Sequence, residues 1–211
     1  MSNRSNTEAT LQSSIDDFER NFSSSPSFYQ VDIDGELIDT IINKTNRNNE
    51  KLIHFRHDYE ARIGSVITFK DKRYLLLEKD RDEIFSFGKM IECNNTMSIQ
   101  KEEEKKILVG YDEFGAPVYK YEKAYEEEPC VVRDTYYSAS ENAQLPLPEG
   151  KLEILLQYQV MLNIKINEEF EMYDKTYKIT DVGYVEVIDN VGYVKIHAER
   201  RDDRQWVILK G

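Results

Sequence analysis

The chain has 211 residues, 40% hydrophobic and 32% charged, so it carries enough apolar surface to offset the entropy of ordering, and disorder of the whole is excluded. Lys and Arg total 28 against 40 Asp and Glu, a net charge of −12, which argues against a protein that tracks nucleic-acid phosphates and against an anionic membrane surface as partner. No apolar run approaches the ~18 residues of a membrane span, and Met1 to Glu19 is polar where a secretion signal is apolar, so a soluble protein made in a cytosol is expected.

Leu11, Ile15, Phe18 and Phe22 recur at spacings of four, three and four, which is one stripe of a helix running from about Ala9 to Phe22. Residues 1–8 are expected to be loose, and Ser23-Ser24-Ser25-Pro26 stops the helix. From Ser27 the pattern changes to short β-rich runs between turn residues, the signature of an antiparallel barrel or sandwich rather than of βαβ units. Phe28, Val31 and Ile33 lead into the turn Asp34-Gly35, and Leu37 to Ile42 return as a hairpin. Gly64 opens a second pair, Ser65 to Phe69 and Tyr74 to Glu78, joined by the charged turn Lys70-Asp71-Lys72-Arg73.

Further strands are expected at Ile84 to Ile91, Thr96 to Gln100, Cys130 to Arg133, Leu152 to Leu156, Val160 to Ile166, Glu169 to Tyr173, Thr176 to Asp181, Tyr184 to Ile188 and Tyr193 to Ala198, with Trp206 to Leu209 as an edge strand. Tyr173-Asp174-Lys175 and Asp189-Asn190-Val191-Gly192 are reversals that make the last four of the internal runs a meander. Between Lys101 and Glu128 the acidic triplets Glu102-Glu103-Glu104 and Glu126-Glu127-Glu128 bracket Tyr111, Phe114, Tyr119, Tyr121 and Tyr125, with Asp112-Glu113-Phe114-Gly115-Ala116-Pro117 as a turn at the middle. The stretch reads as an inserted hairpin arm whose charged roots keep strand edges from pairing with the wrong chain. Ala139 to Gly150, with Pro146 and Pro148, reads as an irregular surface loop. The expected fold is mainly β: an antiparallel barrel over residues 27–211 with the arm inserted at about 101–128, preceded by a helical segment over residues 1–26.

Chemistry is hard to find in this sequence. Asp32-Ile33-Asp34-Gly35 resembles part of a calcium loop but lacks the later acidic ligands, so it reads as a hairpin turn. His54 and His57, if on one strand, point to opposite faces and read as surface histidines. Cys93 and Cys130 lie 37 positions apart with no Cys-x-x-Cys, and read as buried reduced thiols. Nothing groups a nucleophile with a base and an orienting acid, and no phosphate-binding glycine loop is present. No enzyme, cofactor or metal site is expected. The 14 tyrosines suit surfaces that bury a ring and leave the hydroxyl a polar partner, either in a protein contact or half-buried in the barrel wall. The candidates for partner binding are Tyr111, Phe114, Tyr119, Tyr121, Tyr125, Tyr136 and Tyr137.

Four stretches in order, Phe22 to Val31, Lys51 to Arg56 with Arg62 to Phe69 and Tyr74-Leu75-Leu76, Met90 to Met97 with Glu128 to Val132, and Phe170 with Tyr173 to Val182 and Gly192 to Ala198, resemble the head-closure, or stopper, proteins of the neck of long-tailed bacteriophages, particularly those of low-GC Gram-positive hosts. The sequence departs from that pattern at Ser65, where an acid is usual, at Asp71-Lys72, which replaces a glycine turn, and in the length of the arm. The resemblance implies a β-barrel subunit of the virion, assembled in the host cytoplasm into a sixfold homo-oligomeric ring. Its neighbours would be the portal-bound adaptor on one side and a tail terminator or tail protein on the other, with packaged DNA in the lumen and no membrane partner. A tail or baseplate component is the runner-up, and a cytosolic barrel that binds a small ligand is the reading from a different class.

Overall fold

The computed structural model describes residues 3–82, 84–134, 150–159, 164–184 and 186–201. The protein is mainly β and antiparallel, with one helix among the described residues, and its strands form a closed barrel and a second, larger sheet. The strands of residues 27–211, read from sequence as one barrel domain, fall into two compact units: residues 1–94 with 187–193, and residues 95–186 with 194–211.

In the first unit, helix α1 (Asn3–Phe22) starts before the expected boundary, because Asn3 to Glu8 contains no Pro or Gly to break it. It ends as the serines dictate: the N–H groups of Ser24 and Ser25 donate to the carbonyls of Asn21 and Phe22. The apolar stripe docks through rings, Phe18 stacked on Phe85 with centroids 5.1 Å apart and Phe22 edge-on to Phe28 at 6.1 Å. Glu19 adds a polar clamp. Its carboxylate accepts from Arg56 Nη1 at 2.6 Å and from the His57 N–H at 2.9 Å, while Arg56 also donates to Asp39 and lies over the Phe22 ring.

Six strands close the barrel in the order β1 (Phe28–Ile33), β2 (Glu36–Lys44), β3 (Glu50–Phe55), β6 (Ser86–Glu92), β5 (Lys72–Arg81) and β4 (Val66–Phe69), with β4 returning to β1. The ring shuts at Asp34, whose N–H donates to the Val66 carbonyl while its carboxylate accepts from the Val66 N–H. The interior is filled by side chains, among them Val31, Ile33, Ile53, Phe55, Ile67, Leu76 and Met90. His54 departs from the surface position expected of it. It is half-buried against Phe85 and Phe87, and that burial pulls its imidazole below the usual histidine range. His57 follows the end of β3 rather than sharing the strand.

The second unit builds one sheet in the order β10 (Glu169–Met172), β11 (Lys175–Gly183), β13 (Val191–Arg200), β9 (Lys151–Gln157), β8 (Pro117–Asp134) and β7 (Asn95–Tyr111). Buried residues include Met97, Ile99, Cys130, Ile154, Leu155, Leu156, Ile179 and Ile196. Two expectations are corrected here. β12 (Val187–Ile188) pairs only with the start of β13, and β11 pairs directly with β13, so the last four runs are not a simple meander. Ile164 to Ile166 is not a strand, because Lys165 and Glu168 close a turn in which Glu168 N–H donates to the Lys165 carbonyl. Residues 139–149, 160–163 and 206–209 lie outside the described residues.

Four hairpins share one turn chemistry. Asp34-Gly35, Lys70-Asp71, Tyr173-Asp174 and Asp189-Asn190 each connect two strands by two residues with positive φ, the form whose twist matches the flanking strands. Glycine takes the second position in Asp34-Gly35; Asp71 holds φ 63° instead. Lys72 and Arg73, expected in that turn, belong to β5. Replacing Asp71 by Gly is expected to stabilise the protein by about 0.5–1 kcal/mol through relief of left-handed strain. Urea denaturation checks it, and a destabilised variant would contradict this reading of the turn.

Candidate assembly surface

The arm is the continuation of β7 and β8 beyond the body of their sheet, paired from Asn95 opposite Cys130 out to Tyr111 opposite Pro117. Register shifts between Gln100 and Glu104 and between Leu108 and Gly110 place the extra residues on β7. Among the described residues β7 is the last strand of its sheet, and Lys101 to Lys106 is a run of charge in its sequence.

Alternation along β8 puts Tyr119, Tyr121 and Tyr125 on one face, and the register sets Leu108 opposite Tyr119 and Tyr111 opposite Pro117 on the same side. Lys106 Nζ lies 3.8 Å from the Tyr119 ring centroid, a cation held over the same face. These side chains are exposed, from 41% at Tyr119 to 68% at Tyr111. At the tip, Asp112 accepts from the N–H groups of Phe114 and Ala116 through its carboxylate and from Gly115 through its carbonyl. That web of bonds stiffens the loop and leaves Phe114 94% exposed.

The structure therefore brings five of the sequence-derived candidates, Tyr111, Phe114, Tyr119, Tyr121 and Tyr125, onto one projection; Tyr136 and Tyr137 lie outside the described residues. Sequence reasoning missed Leu108, Val109 and Val118, which are exposed apolar residues of the same arm. Alternation among the tyrosines in β8 was the available signal.

It also missed a cleft of about 450 Å³ at one mouth of the barrel. Tyr29, Phe69 and Tyr74 line it together with Lys44, Lys51, Lys70 and Lys72. Lys70 Nζ sits 4.9 Å from the Tyr29 centroid and Lys51 Nζ 5.7 Å from that of Tyr74, while Lys72 is bound to Glu92 at 2.7 Å. In a chain of net charge −12 this is a local cationic, aromatic mouth. No short motif announces it, because the lysines come from β2, β3, the β4–β5 turn and β5 and meet only on barrel closure.

Among the described residues no group of three or more His, Cys, Asp or Glu side chains is placed to hold a metal ion. Cys93 and Cys130 are not joined in a disulfide, and burial pushes the Cys93 thiol up to about 12, which makes it a packing group rather than a nucleophile at neutral pH.

Residues 95–199 match the family described as YomX C-terminal domain, a stretch that begins at Asn95, the first residue of the second unit. Over 141 residues the chain is 23% identical to the SPbeta prophage-derived uncharacterized protein YomX of Bacillus subtilis (strain 168). The alignment covers 65% of this chain and 65% of that relative, so the chain spans about two thirds of the relative's length. No solved structure matches the chain. The likeness is to a prophage-derived protein, and it carries no statement about head closure.

Proposed function

We propose that the protein is a structural component of a bacteriophage virion, a neck subunit that assembles into a ring between the portal-bound adaptor and the tail, closes the head and retains packaged DNA. The observation that carries this reading is the arm, which holds Leu108, Tyr111, Tyr119, Tyr121 and Tyr125 on one face of a projecting hairpin where its own chain leaves them exposed. Aromatic, one-sided, hydroxyl-bearing surface is the composition of a protein interface core. Likeness to a prophage-derived protein of a Gram-positive host supports the same reading. In it the subunit performs no catalysis. Identical copies meet through different patches, and a rotation that closes gives a ring. The net charge of −12 per subunit keeps the duplex from adhering to the wall, so closure is steric.

Excision of Glu102 to Glu127 from the phage genome is expected to leave the barrel folded and to yield particles that lose DNA or fail to join tails. In the intact protein, Tyr119→Ala with Tyr121→Ala removes two aromatic anchors worth about 2 kcal/mol each, and so weakens self-association by about 30-fold for each side chain lost and by roughly 10³-fold for the pair. Sedimentation equilibrium measures the second effect, electron microscopy of particles labelled at the C-terminus the first. Full infectivity of the deletion phage, or label at the baseplate, would overturn the neck assignment. The barrel mouth supports one other reading, a small-ligand barrel, which predicts saturable binding by a monomer.

A further inference from the structure

Two features of the chain remain without a partner surface: the tip of the arm and the mouth of the barrel. At the tip, Phe114 is 94% exposed and follows two acids, Asp112 and Glu113. A nearly bare phenylalanine on a loop fixed by four hydrogen bonds is an anchor whose conformation is set before binding, which lowers the ordering cost of association. At the mouth, rings and ammonium groups line a cleft whose volume of about 450 Å³ falls within the range of pockets that enclose a ligand. Among the described residues no carboxylate pairs with Lys44, Lys51 or Lys70.

We infer that the arm tip of one copy inserts into the barrel mouth of a second copy, with Phe114 received by Tyr29, Phe69 and Tyr74 and the acidic side of the tip met by Lys44, Lys51 and Lys70. Each half supplies what the other lacks. A ring flanked by carboxylates fits aromatic walls flanked by ammonium groups, and the match of sign in an otherwise acidic protein selects this mouth over the rest of the surface. Knob and hole are different patches of one sequence, so the contact is heterologous and propagates from copy to copy. The inference rests on the ring reading above and names the contact that builds the ring.

A photo-cross-linking phenylalanine analogue placed at position 114 tests it, with the unlabelled variant mixed with isotopically labelled unmodified chain so that products between copies are recognised by mass. The expected product joins position 114 to a peptide containing residues 27–44 or 69–74 of the labelled chain. Glu113→Lys is expected to lower its yield about tenfold, and Lys70→Glu in the acceptor to restore it, as charge pairs across an interface do. Self-association with cross-links confined to other surfaces would overturn the tip-in-mouth contact and leave the ring reading standing. A chain that stays monomeric at every concentration, with no product between copies, would overturn both. Cross-links within one chain, or a mouth that takes up inorganic pyrophosphate or a foreign acidic protein and never the tip, would overturn the inference.

Discussion

Phe55→Ala is expected to cost the barrel about 3–5 kcal/mol, the range for an aromatic truncated in a packed core. Phe55 is fully buried on β3, which is flanked by β2 and β6, and its ring lies 5.2 Å from that of Tyr59. A closed ladder cannot slide inward to fill the space, because each strand is held on both sides, so little of the cavity is recovered by collapse. Since small domains hold only about 5–15 kcal/mol of net stability, the loss consumes a large part of it. Urea titration followed by tryptophan-independent far-UV signal should show a lower midpoint with an unchanged slope. A loss under about 1 kcal/mol would mean that the barrel interior is looser than the buried set implies.

Gly64→Ala is the second large effect. Gly64 has φ +88°, a conformation that costs an L side chain about 1–2 kcal/mol. Its added Cβ would collide with the carbonyl oxygen and carbonyl carbon of Gly192, both backbone atoms that no rotamer change can remove. The strand pairing on one side offers no room either, since Gly64 N–H donates to Leu76 O at 2.7 Å. Strain and overpacking together are expected to cost about 2–5 kcal/mol. Gly35→Ala is the control: its φ is +91° and nothing lies within 4 Å of the added atom, so it should show the conformational cost without the collision. Equal losses at the two positions, measured by the same titration, would sink the claim that the Gly64–Gly192 approach matters.

Local pattern carried the hairpins well. The alternation of Phe28 to Ile33 around Asp34-Gly35 and the charged turn after Phe69 are decided by neighbours a few positions away, so they can be read from sequence. The arm was legible for the same reason, its tyrosines being two or four positions apart on one strand. What sequence does not carry is partner choice at a distance. β3 pairs with β6 across β4 and β5, and β9 lies between β8 and β13, and these pairings divide the strands between a closed barrel and a second sheet, a division that periodicity does not encode. Ile164 to Ile166 shows the opposite failure, an apolar run with strand composition that a turn at Lys165 to Glu168 overrides. The lysines of the barrel mouth are spread from position 44 to 72, and closure of the barrel is what gathers them.

The pairing of the arm also limits how its reach can change over evolutionary time. Adding one residue to each strand at the root of the arm would turn the tyrosines to the reverse side, whereas adding two to each lengthens the projection by about 7 Å and preserves their aspect. Descendants of this gene that remain compatible with their neighbours should therefore differ in arm span by even increments, a ratchet imposed by the pleat itself.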